Sequence, residues 1–416
     1  MSFEIKKATL GDFLNFKNGK KSPERADNAS FPVFGSNGLI GRAESTNCPE
    51  NTIVIGRVGS YCGSVHFSKE KCWVSDNAIS CSSKNAGEEH FWFYVLTKLN
   101  LNQFSSGSGQ PLLNQATLNA VECEVPNNSP LRALIGSVLN DYDKKIKLNA
   151  ATNQTLEQMA QAIFKSWFVD FDPVKAKMNG EQPEGMDAAT ASLFPEKLVE
   201  SELGLIPEGW SVRPLGCLID FMTGFAFKSK QFTESGVRLA RGDNVKEGRF
   251  HWGDKSRYWP DVTPELEKYH LQSGDILIGM DGSKVGKNWV RVNESDLPCL
   301  LVQRVARLRE KGLVGSSMLE VIIGGNKFKR YVENVKTGTS IPHISGKQIK
   351  DMPILYPNDG GKLFQRFEEL LLPLAQKREL NNAENQELTR LRDTLLPKLL
   401  SGEIELGTSE ELVEAI

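Results

Sequence analysis

Residues 281–288 have the composition of a phosphate-binding loop. They read Asp-Gly-Ser-Lys-Val-Gly-Lys-Asn and follow a short apolar run that predicts a β-strand. A nucleotide-binding loop of the Walker A type requires Gly at the first of these positions and a metal-binding Ser or Thr at the last, where this chain has Asp281 and Asn288. We therefore expect no nucleotide site. Lys284 and Lys287 are interpreted either as DNA contacts or as residues of a solvated turn.

Other patterns that would indicate catalysis or metal binding do not occur in the sequence. There is no N-P-P-[FY] motif to hold a flipped adenine and no F-x-G-x-G motif to bind a methyl donor, and residues 107–112 differ from a dinucleotide-binding loop because they contain Pro and end in Leu. The seven cysteines include no C-x-x-C pair, and the five histidines are not at metal-ligand spacing with them. We expect reduced thiols, with neither disulfides nor zinc.

The remaining candidates are side chains suited to contact nucleic acid. Arg and Lys bind phosphate or guanine, whereas Asn and Gln suit adenine. Because half or more of the hydrogen bonds between proteins and DNA go to the DNA backbone, each basic residue is more readily a phosphate contact or a surface charge than a base reader. The candidates are Lys20, Lys21, Arg25, Arg42, Arg57 and Gln110 in the first half of the chain, and Lys228, Lys230, Arg238, Arg241, Lys246, Arg249, Lys284, Lys287, Thr339 and His343 in the second.

The net charge of −2 does not exclude a nucleic-acid partner, because charge is distributed unevenly along the chain. Residues 210–360 contain 23 Lys and Arg against 17 Asp and Glu, and the tail after Gly402 has five Glu and no basic residue. A locally basic face attracts phosphate whatever the overall charge. The chain also has neither an apolar run long enough to span a bilayer nor an apolar signal segment at its start, so we expect a cytoplasmic protein.

Short elements are predicted to position the candidate loops. Residues 53–56, 276–279 and 300–308 are apolar or β-branched runs between turn residues, which predicts strands. Residues 90–101 and 316–335 have helical spacing. The two globular stretches are therefore predicted to be α+β.

Two segments predict much longer helices. Apolar and Asn side chains recur every three or four residues over 129–168 and 363–400, the spacing of one helix face. We expect Pro373 to break or kink the second helix early. Each helix would be about 55–60 Å long, and the two would pair antiparallel as a coiled coil. The residues predicted to pair are Ile146, Asn149, Asn153, Leu156, Asn381, Asn385, Leu388 and Leu395.

The Asn residues in the middle of these stripes allow two interpretations. Their amides either face solvent or are buried between the helices. Buried amides would fix the register of the pair at some cost in stability.

The chain is also duplicated. A repeat this long is not a solenoid period of about 20–50 residues, and the halves share little outside the matching segments. We infer two domains of like fold related by an approximate twofold axis, an arrangement suited to duplex DNA read at two half-sites. The matching segments are 9–11 with 214–216, 53–60 with 276–283 and 148–156 with 380–388, and the frame Gly107, Pro111, Leu113, Leu118, Pro126 recurs as Gly338, Pro342, Ile344, Ile349, Pro357.

These features divide the chain into six parts. We expect the connection between the repeats to be mostly extended, with one short helix near 188–198. The predicted parts are a first recognition domain at 1–128, a central helix at 129–170, the connection at 171–209, a second recognition domain at 210–360, a C-terminal helix at 361–401 and an acidic tail at 402–416.

The order of these parts, with three motifs, resembles the specificity subunit of Type I restriction-modification systems. The motifs are residues 163–173 (Ile-Phe-Lys-Ser-Trp-Phe-Val-Asp-Phe-Asp-Pro), 204–210 (Gly-Leu-Ile-Pro-Glu-Gly-Trp) and 395–404 (Leu-Leu-Pro-Lys-Leu-Leu-Ser-Gly-Glu-Ile). Each motif alone is modest, but their order and spacing make the resemblance specific, and the resemblance covers nearly the whole chain. The resemblance implies an α+β protein in which two target recognition domains, in pseudo-twofold arrangement, are separated by a long antiparallel helix pair.

The resemblance also implies a division of labour. This chain would be non-catalytic and would bind no cofactor. Each recognition domain would read one half of an asymmetric, interrupted target in double-stranded DNA, and the helices would set the spacer and dock two modification subunits. Two restriction subunits, which are motor nucleases, would join them. S-adenosylmethionine for adenine methylation, and ATP and Mg²⁺ for translocation and cleavage, would be bound by those partners, and no membrane would be involved.

Two other functions are weighed against this one. The missing motifs disfavour an autonomous DNA methyltransferase or nuclease. A stand-alone DNA-binding or regulatory protein that dimerises through its coiled coil would share the helices and the basic loops. Co-purification with a modification subunit would distinguish the family function from both.

Overall fold

The computed structural model describes residues 4–107, 109–202, 204–253, 256–338, 340–401 and 403. The chain forms two compact units. Unit 1 combines residues 1–149 with 384–416, and unit 2 consists of residues 150–383. Both units therefore contain parts of the two long helices.

The described residues of unit 1 form three sheets from nine strands. β2, β8, β5 and β6 form a four-stranded antiparallel sheet, β4, β3 and β7 form a second sheet, and β1 pairs with β9. The strands are β1 (Ile5–Thr9), β2 (Leu14–Asn18), β3 (Phe31–Gly35), β4 (Gly38–Ala43), β5 (Thr52–Gly56), β6 (Val65–Ser68), β7 (Trp73–Val74), β8 (Ala78–Ser83) and β9 (Glu122–Pro126), and the helices are α1 (Leu10–Phe13), α2 (Glu89–Lys98), α3 (Gln115–Ala120) and the long α4 (Ser129–Lys165).

The core of unit 1 is completed by the long helices. Ile135 and Leu139 of α4 are fully buried against α2 and the four-stranded sheet, and Leu399 joins the same core. Gly136 allows this approach, because a Cβ there would lie 2.4 Å from the Phe91 amide nitrogen. The unit is thus not confined to the residues that precede the helix.

The connection after α4 contains the short helix expected near 188–198, but the segment is folded and not mostly extended. A π-helical turn at Ser166–Asp170 is followed by α5 (Asp172–Met178), α6 (Ala188–Ser192) and a hairpin of β10 (Leu198–Ser201) and β11 (Gly204–Pro207). Val174 and Phe194 are buried in the core of unit 2. Apolar burial therefore folds a segment that local composition assigned to a linker.

Unit 2 repeats the topology of unit 1. β13, β21, β18 and β19 form the four-stranded sheet, β17, β14 and β20 form the three-stranded sheet, and β12 pairs with β22. The strands are β12 (Trp210–Pro214), β13 (Ile219–Thr223), β14 (Val237–Ala240), β15 (Val245–Lys246), β16 (Arg249–Phe250), β17 (Tyr258–Trp259), β18 (Ile276–Gly279), β19 (Trp289–Arg291), β20 (Cys299–Leu301), β21 (Val305–Glu310) and β22 (Pro353–Pro357). The helices are α7 (Ser316–Gly324), α8 (Asn326–Val335), α9 (Gly346–Lys350) and the long α10 (Lys362–Ser401).

In each unit a polar contact links a long helix to the rest of the unit, and this contact is buried in unit 1 and partly buried in unit 2. In unit 1, Arg132 of α4 forms an ion pair with Glu88 (2.8 Å). In unit 2, the carboxylate of Glu368 in α10 accepts hydrogen bonds from the backbone amides of Ser317 (3.1 Å) and Met318 (3.0 Å) at the start of α7. A carboxylate is favourable there because helix N-terminal amides lack partners within the helix.

The predicted α+β class, with two units of like topology and long helices, is confirmed. Pro373 does not break the second helix, because α10 runs without interruption over 40 residues. Within the described ranges, no helix combines the length and apolar character needed to cross a lipid bilayer.

Candidate nucleic-acid interface

Three loops of unit 1 are held together at the end of β5 by backbone hydrogen bonds. These loops, residues 57–63, 75–77, 105–107 and 109–112, are here called the first loop frame. The Arg57 amide donates to the Asn77 carbonyl (3.0 Å), and the Gly59 amide donates to the Pro111 carbonyl (3.1 Å). The Arg57 carbonyl in turn accepts from the Leu113 amide (2.9 Å). Three segments far apart in sequence thus present their side chains together.

Unit 2 contains the same arrangement, the second loop frame, at the end of β18. It consists of residues 280–286, 302–304, 337–338 and 340–343. The Met280 amide donates to the Arg304 carbonyl (2.9 Å), and the Met280 carbonyl accepts from the Ile344 amide (2.9 Å). The Gly282 amide donates to Pro342 (2.9 Å), as Gly59 does to Pro111 in the first frame.

The repeated spacing in the sequence begins at two equivalent glycines, Gly107 and Gly338, and the backbone explains why both are Gly. Gly107 and Gly338 have φ values of 107° and 87°, a region that residues with a side chain rarely adopt. A Cβ at Gly107 would lie 2.7 Å from the Gln110 carbonyl oxygen, and one at Gly338 would lie 2.5 Å from that of Ile341. The turn therefore requires Gly at both positions.

The side chains on this shared backbone differ between the units. Val58 and Leu112 form a β-bridge in the first frame, and their counterparts Asp281 and His343 form the same bridge in the second. The His343 imidazole Nδ1 also bonds the Asp281 carboxylate. An apolar pair in one unit is thus replaced by an ionisable pair in the other.

The structure brings two of the predicted unit 1 contacts into the first loop frame. Arg57 is half-buried, and its Nε has no hydrogen-bond partner among the residues that the structure describes. Gln110 is exposed at the Gly107 turn. Both side chains can offer hydrogen bonds to a ligand at the frame.

The other predicted unit 1 contacts lie elsewhere. Arg25 Nη1 donates to the Ile40 carbonyl (2.7 Å), and Arg42 Nε donates to the Ala29 carbonyl (2.7 Å). These two guanidinium groups hold the segment before β3 against the β3–β4 hairpin, whereas Lys20 and Lys21 are exposed. Arg25 and Arg42 thus have structural partners of their own.

In unit 2, His343 and Lys284 belong to the second loop frame, and Thr339 lies outside the described residues. Lys246 and Arg249 lie on the β15–β16 hairpin. Bonding to Lys329, with a smaller electrostatic contribution from Lys287 and Lys284, lowers the pKa of the Glu247 carboxyl on the same hairpin. The two lysines of the Gly-rich loop therefore lie near this hairpin.

Four further unit 2 candidates lie outside the frame. Lys228 and Lys230 are exposed near the 3₁₀ turn Ser229–Gln231. Arg238 donates to the Ser295 carbonyl (3.1 Å), and Arg241 pairs with Asp243 (3.1 Å).

The frames also contain exposed polar residues that are absent from the candidates predicted from the sequence. Asn77 and Arg304 occupy equivalent turns before β8 and β21 and are both exposed. In the sequence, Asp281 is notable only because it replaces the first Gly of a Walker A loop. No identity links the turns 75–77 and 302–304, and their position one residue before a strand was the only available signal.

The helix-pairing residues form amide contacts within each unit. In unit 1, Asn149 is 4% exposed and donates to Glu384 Oε2 (2.8 Å) and Asn385 Oδ1 (3.0 Å). Asn385 donates to the Ile146 carbonyl (3.3 Å). In unit 2, Asn381 is 2% exposed and donates to Asn153 Oδ1 (2.8 Å). The amides therefore lie between antiparallel helix segments in both units.

The leucines among the predicted helix-pairing residues differ in burial. Leu156 and Leu388 are half-buried. Leu395 packs against the core of unit 1 together with Leu131 and Tyr142 of α4.

Metal binding has no visible support in the described parts of the chain, where no three His, Cys, Asp or Glu side chains are grouped to hold an ion. The seven cysteines, all of them described, are free thiols. The two loop frames present exposed amide, guanidinium and ammonium groups, which can donate hydrogen bonds.

Comparison with known proteins gives one family. The model of the Type I restriction modification DNA specificity domain matches residues 4–158. The chain is 32% identical over 197 residues to the EcoAI specificity subunit of Escherichia coli, covering 46% of this chain and 33% of that protein. It is 23% identical over 419 residues to the MjaVIII specificity subunit of Methanocaldococcus jannaschii, covering 95% and 92%.

A solved structure has the same fold. The crystal structure of the S subunit of a Type I restriction-modification system from M. genitalium superposes with a TM-score of 0.66 at 18% identity, covering 95% of this chain and 96% of that one.

Proposed function

The chain belongs to the specificity subunits of Type I restriction-modification systems, and we propose that its two units each read one half of a bipartite DNA target. As a member of this family the chain is a non-catalytic, DNA-recognising subunit. The observation that carries the two-half proposal is the loop frame, which has the same backbone and different side chains in the two units. We keep 1–128 and 210–360 as the recognition domains.

The chemistry of the frames supports base reading. The exposed amides of Asn77 and Gln110 suit adenine, and the exposed guanidinium of Arg304 suits guanine. The lysines at 284 and 287 suit phosphates. The two units then recognise different half-sites because their loop frames carry different side chains on the same backbone.

We also propose that two copies of a modification subunit dock on the long helices, and that restriction subunits join this assembly. Leu148 and Leu380 occupy equivalent positions in the repeated Leu-Asn-x-Ala motif and are 61% and 65% exposed. A single exposed leucine needs no explanation, but the same exposure at both copies supports one contact made twice. Methyl transfer from S-adenosylmethionine, and Mg²⁺- and ATP-dependent cleavage, would reside in these partners.

This proposal is tested by co-expression with the modification subunit of the same system. The two chains together are expected to methylate a bipartite motif in genomic DNA, and neither chain alone should do so. Leu148→Glu and Leu380→Glu should each lower the number of bound modification subunits from two to one, because a carboxylate at an apolar contact is costly to bury. Native mass spectrometry measures this stoichiometry.

The matched controls are Gln154→Glu and Gln386→Glu, which add the same charge at exposed positions of the same motif. They should leave two modification subunits bound. Methylation by this chain without a partner would contradict the family function, whereas full stoichiometry in both leucine variants would contradict only the docking site.

We further propose that the helix pair sets the number of unspecified base pairs between the half-sites. α4 and α10 are uninterrupted over 37 and 40 residues. Inserting seven residues after Ala151 and seven after Ala383 would preserve the phase of the apolar stripe and add about 10 Å. The spacer of the methylated motif should grow by about three base pairs.

The control for this experiment is the insertion in α4 alone. It would separate Asn149 from its partner Asn385 or Asn153 from its partner Asn382, so we expect loss of the assembled complex. A paired insertion that methylates DNA with the original spacer would refute the proposal.

A further inference from the structure

We propose that Arg304 reads a guanine in the half-site of unit 2 and that Asp281 and His343 are positioning residues for its guanidinium. This inference rests on the proposed function. It adds the residue that makes the contact, the base that it selects and the pair that aims it.

The backbone of Arg304 is held in an unusual conformation. Its φ value is 72°, in the left-handed region that residues other than Gly and Asn rarely adopt. The hydrogen bond from the Met280 amide to the Arg304 carbonyl (2.9 Å) ties this turn to the loop after β18. Unfavourable conformations of this kind persist where the surrounding structure determines them, and they cluster at functional sites.

The side chain of Arg304 is aimed by a carboxylate. Asp281 Oδ2 lies 3.4 Å from Arg304 Nε, and the Arg304 side chain is 63% exposed. The other oxygen, Asp281 Oδ1, bonds His343 Nδ1, and the backbone bridge between Asp281 and His343 fixes both residues. Asp281 is thus held from one side and holds Arg304 from the other.

This geometry suits bidentate recognition. The pair with Asp281 engages Nε, and the terminal amino groups of a guanidinium are the donors that match O6 and N7 of guanine in the major groove. An aspartate that orients an arginine lowers the conformational cost of making that contact.

The first loop frame supplies an internal comparison. Its equivalents of Asp281, His343 and Arg304 are Val58, Leu112 and Asn77. In that frame the position of Asp281 holds an apolar side chain and no carboxylate, and the exposed amide of Asn77 suits adenine. The two loop frames therefore share one backbone arrangement but present base-contacting side chains of different chemistry.

The test uses the complex of the full chain with its modification subunit. The probes are duplex oligonucleotides that carry the motif methylated by the wild-type complex, and variants with one base pair changed at a time. Arg304→Asn is the main variant, because Asn tolerates positive φ and is the residue of the first frame. It should abolish the preference for one G·C pair in one half-site, a loss of about 10- to 100-fold in competition binding.

Two further variants distinguish a loss of base recognition from a loss of folding. Arg304→Lys keeps the charge, so affinity for unrelated duplex DNA should stay near wild type while the preference for that G·C pair falls. The double variant Asp281→Val/His343→Leu installs the pair found in the first frame and should weaken the preference at the same base pair. Combining it with Arg304→Asn should add no further loss at that position, because all three residues act through one contact.

Several outcomes would overturn the assignment. Arg304→Asn could instead weaken binding to all duplexes equally and reduce the salt dependence of binding by about one phosphate contact. In that case Arg304 binds the DNA backbone. If both half-sites keep their preferences, Arg304 reads no base. A wild-type complex without any bipartite preference would instead refute the proposed function itself, and this result is distinct from the other two.

Discussion

Exchanging the first recognition domain for that of another specificity subunit is expected to replace one half of the methylated motif and to leave the other half unchanged. The reason is that each loop frame is closed by hydrogen bonds within its own unit. The second frame therefore keeps its geometry when unit 1 is replaced. Genome-wide methylation sequencing of the hybrid complex measures both half-sites at once.

The structure decides where such an exchange should be cut. A junction at residue 128, where the sequence places the domain boundary, runs through the core of unit 1. Gly136 packs on Phe91, and Arg132 pairs with Glu88, so a foreign α2 would meet an unmatched α4. An exchange of residues 1–142 together with 395–400 keeps these contacts within one parent. We expect this longer exchange to yield more soluble complex than an exchange of 1–128.

The exchange of the second unit is the matched control. Replacing residues 160–371, which keeps the core of unit 2 and the contacts of Glu368 with α7 within one parent, should change the other half of the motif. If either exchange altered both halves, reading would be shared between the units and the two-half proposal would be wrong.

Breaking the ion pair between Glu88 and Arg132 is expected to destabilise unit 1 by about 3–5 kcal/mol. The Arg132 side chain is 4% exposed and that of Glu88 is fully buried. The carboxylate also accepts from Trp92 Nε1 (2.8 Å), and Arg132 Nη1 donates to the Pro126 carbonyl (2.6 Å). Glu88→Gln would leave the buried guanidinium charge of Arg132 without a countercharge. Hydrogen exchange of the α2 amides in the full chain measures the loss.

The acid sensitivity of unit 1 follows from the same pair. Burial alone would raise the pKa of the Glu88 carboxyl, but hydrogen bonds from Arg132, Ser129 and Trp92 lower it below its ordinary value. A carboxyl whose pKa is lowered by folding stabilises the folded state above its unfolded pKa, about 4.3, and this stabilisation is lost as pH falls through the folded pKa. Glu88→Gln should remove that part of the pH dependence.

The double variant Glu88→Met/Arg132→Met is the control for this prediction. Replacing both charges with apolar side chains of similar length should restore most of the lost stability, because neither charge is then buried alone. If Glu88→Gln were as stable as the wild type at neutral pH, the pair would not hold α2 to α4.

Features determined by short-range physics could be predicted from the sequence. The periodicity of α4 and α10 is local, so their existence was predictable, although Pro373 does not interrupt α10. Gly107 and Gly338 recur because their turns require positive φ. The repeated segments therefore revealed two units of one fold.

The tertiary structure alone decided which residues meet. Asn77 and Arg304 join their frames through backbone hydrogen bonds, which impose no side chain and so leave no repeated letter in the sequence. Arg25 and Arg42 look like DNA contacts by type, yet their guanidinium groups bind carbonyl oxygens of their own unit. The sequence shows that a side chain is basic. The group to which it donates a hydrogen bond depends on how segments distant in the sequence pack together.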